Sequence, residues 1–403
     1  MTLVIWHHVQ DDRLQPFRYY VAMQIPYFPD TVKAVFLARP NRFIVLCRAG
    51  GRTLRAYLPN PGRLWELLFS GVTIRLVRHP AGHGSLTDHT VVAVERDGKL
   101  IMLHTHVNNL VAKSLIEHGL VPGLEGAEVI RPEVTIGQSR FDFLLSREGK
   151  EIVLEVKSCT LVGNRIAMFP DAVTARGTRH LRELEQIVDA GGQAAVLFLI
   201  HWPKAEYFMP EWHTDLDLAR TLIAVRNKVR VVAMSVEWSQ DLRPRRVRPV
   251  SIPWNLIKRE THDRGSYIVI LRLKEDRRLA IGGLGKIKFR KGYYCYVGSA
   301  KSNLTKRLER HRRLRKNLFW HIDYLRAETD MHALIPIRAS EDLECEIAAA
   351  LAQRAGWTVP GFGSSDCRCA SHLSGMDEDP MRTRLFIDLL IYFRIDRLEK
   401  YLE

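Results

Sequence analysis

Glu155 and Lys157 stand two residues apart in the apolar run Glu151-Ile-Val-Leu-Glu-Val-Lys157, and Asp142 lies thirteen positions before Glu155 in Arg140-Phe-Asp-Phe-Leu-Leu. Two carboxylates and an ammonium so spaced suit the core of a metal-dependent nuclease. Side chains alternate faces along a strand, so Ile152, Leu154 and Val156 point one way and Val153, Glu155 and Lys157 the other. If the strand holding Asp142 runs antiparallel beside it through the turn Ser146-Arg-Glu-Gly-Lys150, the carboxylates of Asp142 and Glu155 converge on a site for Mg²⁺ or Mn²⁺. Such hard cations take oxygen ligands and keep several waters. Lys157 would orient a metal-bound water or offset charge on the pentavalent phosphate. An edge strand with an exposed Glu/Lys pair carries the same local pattern.

A second constellation lies in Tyr294-Cys-Tyr-Val-Gly-Ser-Ala300, followed by Asn303-Leu-Thr-Lys-Arg-Leu-Glu-Arg-His311. It resembles the GIY-YIG nuclease motif. The resemblance implies Tyr267 and Tyr296 as the two motif tyrosines, one of them the general base. It also implies Gly298 in the tight turn, Arg307 aimed at the scissile phosphate, and Glu344 holding a single metal ion. A tyrosine near a metal can lose its proton to activate water, and a planar guanidinium suits phosphate oxygens. The tyrosines are separated by twenty-nine positions, longer than the family's usual connection, and Glu346 competes with Glu344 for the acidic role. Helix phase favours Glu344, because Ile347 and Leu351 follow it on a buried face.

Two further features sit in the same unit. Nine Lys or Arg residues between Lys301 and Arg326, Arg310 and Arg313 among them, face only Glu309 and Asp323, which predicts a basic surface for phosphate. Asp366-Cys-Arg-Cys-Ala-Ser-His372 and Trp320-His-Ile-Asp-Tyr324 offer Cys367, Cys369, His372 and His321 as candidate ligands for one Zn²⁺. The Cys-x-Cys-x-x-His spacing departs from that of common fingers, and a turn held by hydrogen bonds is the alternative.

Positioning these groups requires several kinds of element. From Val32 to Glu95 about five short strands with a Gly50-Gly51 hairpin suggest a small β-barrel of the oligonucleotide/oligosaccharide-binding (OB) size. Arg63 to Leu68 reads there as one or two helical turns. Arg39, Arg42, Arg48, Arg52, Arg55 and Arg63 interleave with Phe43 and Tyr57, the mixture that grips a nucleic-acid backbone and stacks bases. Between 100 and 240 helices and strands alternate, an α/β pattern. Its helix from Thr178 to Ala190 is capped by a hydroxyl and carries Arg176, Arg179 and His180 at its N-terminus, where phosphate binds well. The segment Arg243-Pro-Arg-Arg-Val-Arg-Pro249, with no acid between Leu242 and Arg259, reads as a semi-rigid basic linker. From Arg382 onward an amphipathic helix places Leu385, Leu389, Leu390 and Phe393 against a domain or a twin subunit.

The 403 residues carry a formal charge of +15, which fits a polyanionic partner, and 46% hydrophobic residues are enough for two or three cores. The longest apolar runs, such as Ala194 to Ile200, are far too short to span a bilayer. Six dispersed cysteines and the lack of a recognisable secretory signal suggest a reducing cytoplasm.

The motifs Ala38-Arg-Pro-Asn-Arg-Phe43, Leu58-Pro-Asn-Pro-Gly-Arg-Leu64, Phe141-Asp-Phe143, Leu154-Glu-Val-Lys-Ser-Cys-Thr160 and Phe169-Pro-Asp-Ala-Val-Thr-Ala-Arg-Gly-Thr-Arg-His180 resemble the sugar fermentation stimulation protein (SfsA) family over residues 1–240. Pro61 stands where that family more often has Thr or Ser. The resemblance implies a DNA-binding barrel joined to a PD-(D/E)xK-like domain, with a role in regulating sugar metabolism. Residues 265 to about 375, with Gly361-Phe-Gly-Ser-Ser-Asp-Cys367, resemble a GIY-YIG-like domain of unassigned function. The expected organisation is a leader (1–26), an OB-like nucleic-acid-binding barrel (27–99), a PD-(D/E)xK nuclease-like α/β domain (100–240), a basic Pro-rich linker (241–264), a GIY-YIG-like α/β domain (265–375) and a C-terminal helix (376–403). The expected function is DNA binding with metal-dependent phosphodiester hydrolysis. A DNA-binding regulator whose nuclease folds no longer cleave is the alternative. RNA stays open as a partner, as does a homo-oligomer formed through the C-terminal helix, and no membrane partner is expected.

Overall fold

The computed structural model describes residues 19, 20, 28, 30–80 and 86–402. The expected leader therefore lies outside the described residues except for Tyr19 and Tyr20, which pair antiparallel with Val247 and Arg246.

Five strands form the N-terminal barrel: Val32–Asn41, Ile44–Ala49, Arg52–Tyr57, Thr73–Arg78 and His89–Arg96. Neighbours pair antiparallel, and a parallel contact of Tyr57 with Thr90 closes the cylinder. Gly50 and Gly51, at φ 53° and 77°, make the two-residue turn that a right-twisted hairpin needs and that side chains resist. Val45, Cys47, Ala56, Ile74, Leu76 and Val91 fill the interior. The helical turns expected over Arg63 to Leu68 are a single turn, with Leu64 at φ 54° and its carbonyl accepting from Leu68 N–H at 3.0 Å.

The strand Lys99–Met102 pairs with the last barrel strand and, through Leu100, with Trp238 of Arg230–Trp238, so the barrel runs into the sheet of the second unit. That sheet continues in the order Arg230–Trp238, Gln193–Ile200, Lys150–Cys159, Ser139–Arg147 and Glu128–Ile136. Lys150–Cys159 is an interior strand, parallel to Gln193–Ile200 and antiparallel to Ser139–Arg147. Its alternation is the expected one. Ile152, Leu154 and Val156 pack with the helix Val107–Glu117, whereas Val153 belongs to the opposite core with Leu181 and Leu184 of the helix Ala175–Asp189. The hairpin before it turns through Glu148 and Gly149, both with positive φ.

Residues 241–264 are not a linker. Pro244–Pro249 is a strand pairing antiparallel with Arg230–Trp238, and Trp254–Glu260 is a helix that buries Leu256 and Ile257 beside Trp212 and Leu398. The prolines sit at the ends of the strand, where a missing N–H is tolerated, and Val247 between the arginines is fully buried.

The C-terminal unit is a five-stranded antiparallel sheet in the order Asp330–Arg338, Gly265–Leu273, Gly292–Ala300, Leu373–Met376 and Trp357–Thr358. A small hairpin, Arg277–Ala280 with Lys286–Phe289, occupies the long connection between the tyrosines. One face packs Ile268, Ile270 and Val297 under the helices Glu344–Ala352 and Arg384–Arg394. The other packs Tyr267, Tyr294 and Tyr296 under Leu304–Arg312 and His321–Ala327.

The C-terminal helix buries Phe386, Ile387, Leu389, Leu390 and Phe393 within the chain. Leu385, expected on that stripe, is 65% exposed. Intramolecular packing therefore accounts for the amphipathic pattern without a twin subunit. Among the described residues no helix is long and apolar enough to cross a membrane.

Candidate metal centre

Backbone pairing between Ser139–Arg147 and Lys150–Cys159 ends at Leu154 with Phe143. Just beyond, Asp142 Oδ2 accepts the Val156 N–H at 2.7 Å and Oδ1 accepts from Asn109 Nδ2 at 2.9 Å. Glu155, 4% exposed, directs Oε1 to His180 Nδ1 at 2.7 Å and to the Lys157 ammonium. Its Oε2 is buried without a hydrogen-bond partner among the described residues. Burial, and then the nearby Glu155 charge, hold the Asp142 carboxyl above the ordinary carboxylate range. Burial opposes ionisation of Glu155 too, but His180 and Lys157 outweigh it and draw that carboxyl below its usual value. Two adjoining carboxylates, one carrying an unsatisfied buried oxygen, fit a hard cation.

His180 completes this set and was read from sequence only as a phosphate neighbour. It sits on the helix Ala175–Asp189, whose N-cap Thr174 accepts the Gly177 N–H at 3.0 Å through its side chain. Arg176 Nε donates to His180 Nε2 at 3.2 Å, so the imidazole is fixed at both nitrogens. Arg176 and Arg179 are exposed at this helix start.

The barrel arginines divide. Arg39 donates to the carbonyls of Asn60, Gly62, Arg63 and Arg42, at 2.6 to 3.0 Å, and so clamps the loop that precedes Leu64. Arg63 lies over the Trp65 ring at 4.8 Å and lines a crevice with Glu66, Asp171, Glu211 and Arg394. Arg42 is exposed beside Phe43, which stacks on Tyr57 with ring centroids 6.3 Å apart. Arg48, Arg52 and Arg55 are exposed on the same hairpin.

In the C-terminal unit Tyr267 pairs with Gly298 across the sheet, and a Cβ on that glycine would lie 2.5 Å from the Tyr267 hydroxyl. Tyr267 and Tyr296 have ring centroids 6.5 Å apart, and the Tyr267 hydroxyl is 2.9 Å from His311 Nε2. Burial pushes both phenols well above their ordinary range, which opposes a tyrosinate base. Arg307 and Arg310 lie over the Trp320 ring at 4.3 and 4.1 Å, and Arg310 also pairs with the buried Asp323 at 2.8 Å. Lys316, another of the basic series, is likewise committed to Asp323, whereas Arg313 is exposed. Glu346 is exposed. Glu344 bonds to the Ser299 hydroxyl and to His372 Nδ1, the latter at 3.0 Å.

Cys345, Cys367, Cys369 and His372 bring their ligand atoms within 4.8 Å of one another. Cys345 is the member the spacing did not reveal. His321, the expected fourth, accepts the Gly363 N–H at 3.2 Å instead.

A five-stranded barrel running into an α/β sheet with an acidic centre, followed by an antiparallel sheet unit, defines the class of protein. Residues 37–103 match the SfsA N-terminal OB domain, 106–242 the sugar fermentation stimulation protein RE domain, and 266–391 the domain of unknown function DUF123. A sugar fermentation stimulation protein homolog from Methanothermobacter thermautotrophicus is 36% identical over 191 residues, 47% of this chain and 79% of that protein. Another from Pyrobaculum arsenaticum is 39% identical over 204 residues, 50% of this chain and 86% of that protein. A solved structure of Pyrococcus furiosus SfsA in complex with Ca²⁺ has a TM-score of 0.51 and 28% identity, covering 58% of this chain and 97% of that one. The chain belongs to the sugar fermentation stimulation protein family and carries in addition a C-terminal GIY-YIG-like domain.

Proposed function

We propose that the protein binds DNA and hydrolyses its phosphodiester bonds at Asp142, Glu155 and Lys157 with a divalent cation, Mg²⁺ or Mn²⁺. The observation that carries this reading is the buried, unpartnered Oε2 of Glu155 beside an Asp142 carboxyl whose ionisation the Glu155 charge opposes. A cation relieves both. The Ca²⁺ complex of the Pyrococcus furiosus relative supports a hard-cation site in this family.

A divalent cation held there would supply Lewis-acid polarisation of the phosphate and an acidified water. Asp142 and Glu155 supply the oxygen ligands, and His180 fixes the Glu155 carboxylate in place. The Lys157 ammonium offsets charge that grows on the phosphate as the attacking oxygen closes. Arg176 and Arg179, at the positive end of their helix, seat a flanking phosphate. Phe43, Tyr57, Arg42 and the neighbouring arginines offer the barrel's stacking and backbone contacts.

The test is incubation of the full chain with end-labelled single- and double-stranded DNA and RNA in Mg²⁺, Mn²⁺ or EDTA. The expected result is cleavage of DNA that needs the cation and disappears in Asp142→Ala. Tight DNA binding with no cleavage in either metal would instead establish a binding regulator.

A further inference from the structure

Outside the centre described above, Cys345, Cys367, Cys369 and His372 form the only group of candidate metal ligands of this kind among the described residues. They come from two places in the sequence. Cys345 lies in the first turn of the helix Glu344–Ala352, and the other three lie in the loop between the strands Trp357–Thr358 and Leu373–Met376. The loop is tied down independently: His372 N–H donates to the Phe362 carbonyl at 2.8 Å, and the His372 carbonyl accepts from Val297 at 2.9 Å. Gly363, at φ 73°, lies so close to Tyr296 that a Cβ would come within 2.7 Å of its ring. The backbone therefore delivers His372 to a fixed point over the helix start.

We propose that these four residues hold one Zn²⁺ in a closed tetrahedral site, with Glu344 as the carboxylate that orients His372. Zn–S bonds of about 2.3 Å and a Zn–N bond of about 2.0 to 2.1 Å put tetrahedral ligand atoms roughly 3.5 to 3.8 Å apart. His372 Nε2 is 3.4 Å from Cys367 Sγ and 4.0 Å from Cys345 Sγ. The soft sulfur set selects zinc over magnesium or calcium, and the loss of three thiol protons on binding supplies the thiolates. His372 turns its other nitrogen, Nδ1, to Glu344, the partner that fixes tautomer and ring direction in metal-bound histidines.

This assignment changes what Glu344 does. Its carboxylate is engaged by Ser299 on one side and His372 on the other, so it serves as a positioning residue for zinc rather than as the magnesium ligand that the GIY-YIG resemblance implies. Four protein ligands leave no open position, so the zinc is structural and pins the loop and Tyr296 strand to the helix. The proposal is independent of Asp142 and Glu155.

The experiment measures metal content and cobalt spectra on the reduced full chain. We expect one zinc per chain after dialysis, and on Co²⁺ exchange a thiolate-to-cobalt charge-transfer band with tetrahedral d–d bands. Cys345→Ser and Cys367→Ser should each lose the metal to a chelator wash that wild type survives. His372→Cys should retain it with an altered cobalt spectrum, which shows that the fold persists. Glu344→Gln should lower zinc affinity about 10- to 100-fold, and Glu346→Gln should leave it unchanged. The zinc site is overturned by a reduced chain that takes up neither metal, or by unchanged metal content in both serine variants. Wild-type zinc affinity in Glu344→Gln would overturn the role of Glu344.

Discussion

Asp142 Oδ2 takes the Val156 N–H at 2.7 Å, one step past the last backbone pair of the two strands that carry the acidic centre. A side chain replaces a backbone carbonyl where the pairing stops, and Asn109 holds the other oxygen at 2.9 Å. Asp142 is thus presented to Glu155 before any ligand arrives. Asp142→Ala and Glu155→Ala should each reduce cation-dependent cleavage by more than about 100-fold, while DNA affinity stays within a few-fold or tightens. A double variant that cuts at the wild-type rate would make the centre structural.

Proton and cation compete at this carboxyl. Because burial and the Glu155 charge raise the Asp142 pKa, this carboxyl retains its proton to a higher pH than an exposed aspartate does. Affinity for Ca²⁺ or Mn²⁺, measured by titration calorimetry, should rise with pH through the acidic range and level off once Asp142 is ionised. Asp142→Asn should flatten that rise. A pH-independent wild-type affinity would remove Asp142 from the ligand set.

His180 reaches Glu155 from a different element, and its loss should be felt at the cation. Removing such a supporting partner typically costs 10- to 100-fold in metal affinity or rate. His180→Asn should therefore weaken Ca²⁺ binding by about that factor and leave the salt dependence of DNA binding untouched. Equal calcium affinity in the variant would show the contact to be packing alone.

The shared face of Glu155 and Lys157 follows from strand alternation: the two side chains meet, and the apolar residues between and before them divide between the two cores. The partnership of His180 with Glu155 was not legible, because it depends on how the crossover helix packs back on the sheet. Cys345 was hidden for a similar reason: only the pairing of Tyr296 with Leu373 carries the cysteine loop over its helix. Arg39 and Arg42 looked alike in sequence. Register shifts between Phe36 and Asn41 upset simple alternation, and Arg39 turns onto the loop carbonyls while Arg42 stays in water. The arginines of 243–248 read as linker because of the prolines among them, yet buried Pro244 and Val247 seat a strand between Arg230–Trp238 and the Tyr19–Tyr20 pair.

That division of the arginines predicts opposite phenotypes. Neutralising about six phosphates gives a log–log salt slope of about −5 on duplex DNA, and Arg42→Ala should make it shallower by about 1 without changing thermal stability. Phe43→Ala should weaken single-strand binding by roughly 1 to 3 kcal/mol. Arg39→Ala should instead lower stability by about 1 to 3 kcal/mol, since it removes the shared donor of four loop carbonyls. Unfolding melts and fluorescence anisotropy across a salt series separate the two effects.

Glu66 predicts a pH dependence of the fold itself. It is 8% exposed, its Oε1 has no hydrogen-bond partner among the described residues, and burial pushes its pKa up to about 8. Asp171 raises it further, while Arg96 and Arg394 oppose the rise. The folded chain therefore holds this proton after the unfolded chain, near the ordinary value of 4.5, has released it. Stability from this group is fully present below that lower value and is lost as pH rises through about 8. Glu66→Gln keeps the neutral form at every pH, so its advantage over wild type should grow across this window and then level off at about 3 to 5 kcal/mol. Urea unfolding at pH 5, 7 and 9 measures that difference directly. A gap that is constant with pH would show that Glu66 is already ionised in the fold, with its charge carried by Arg96 and Arg394.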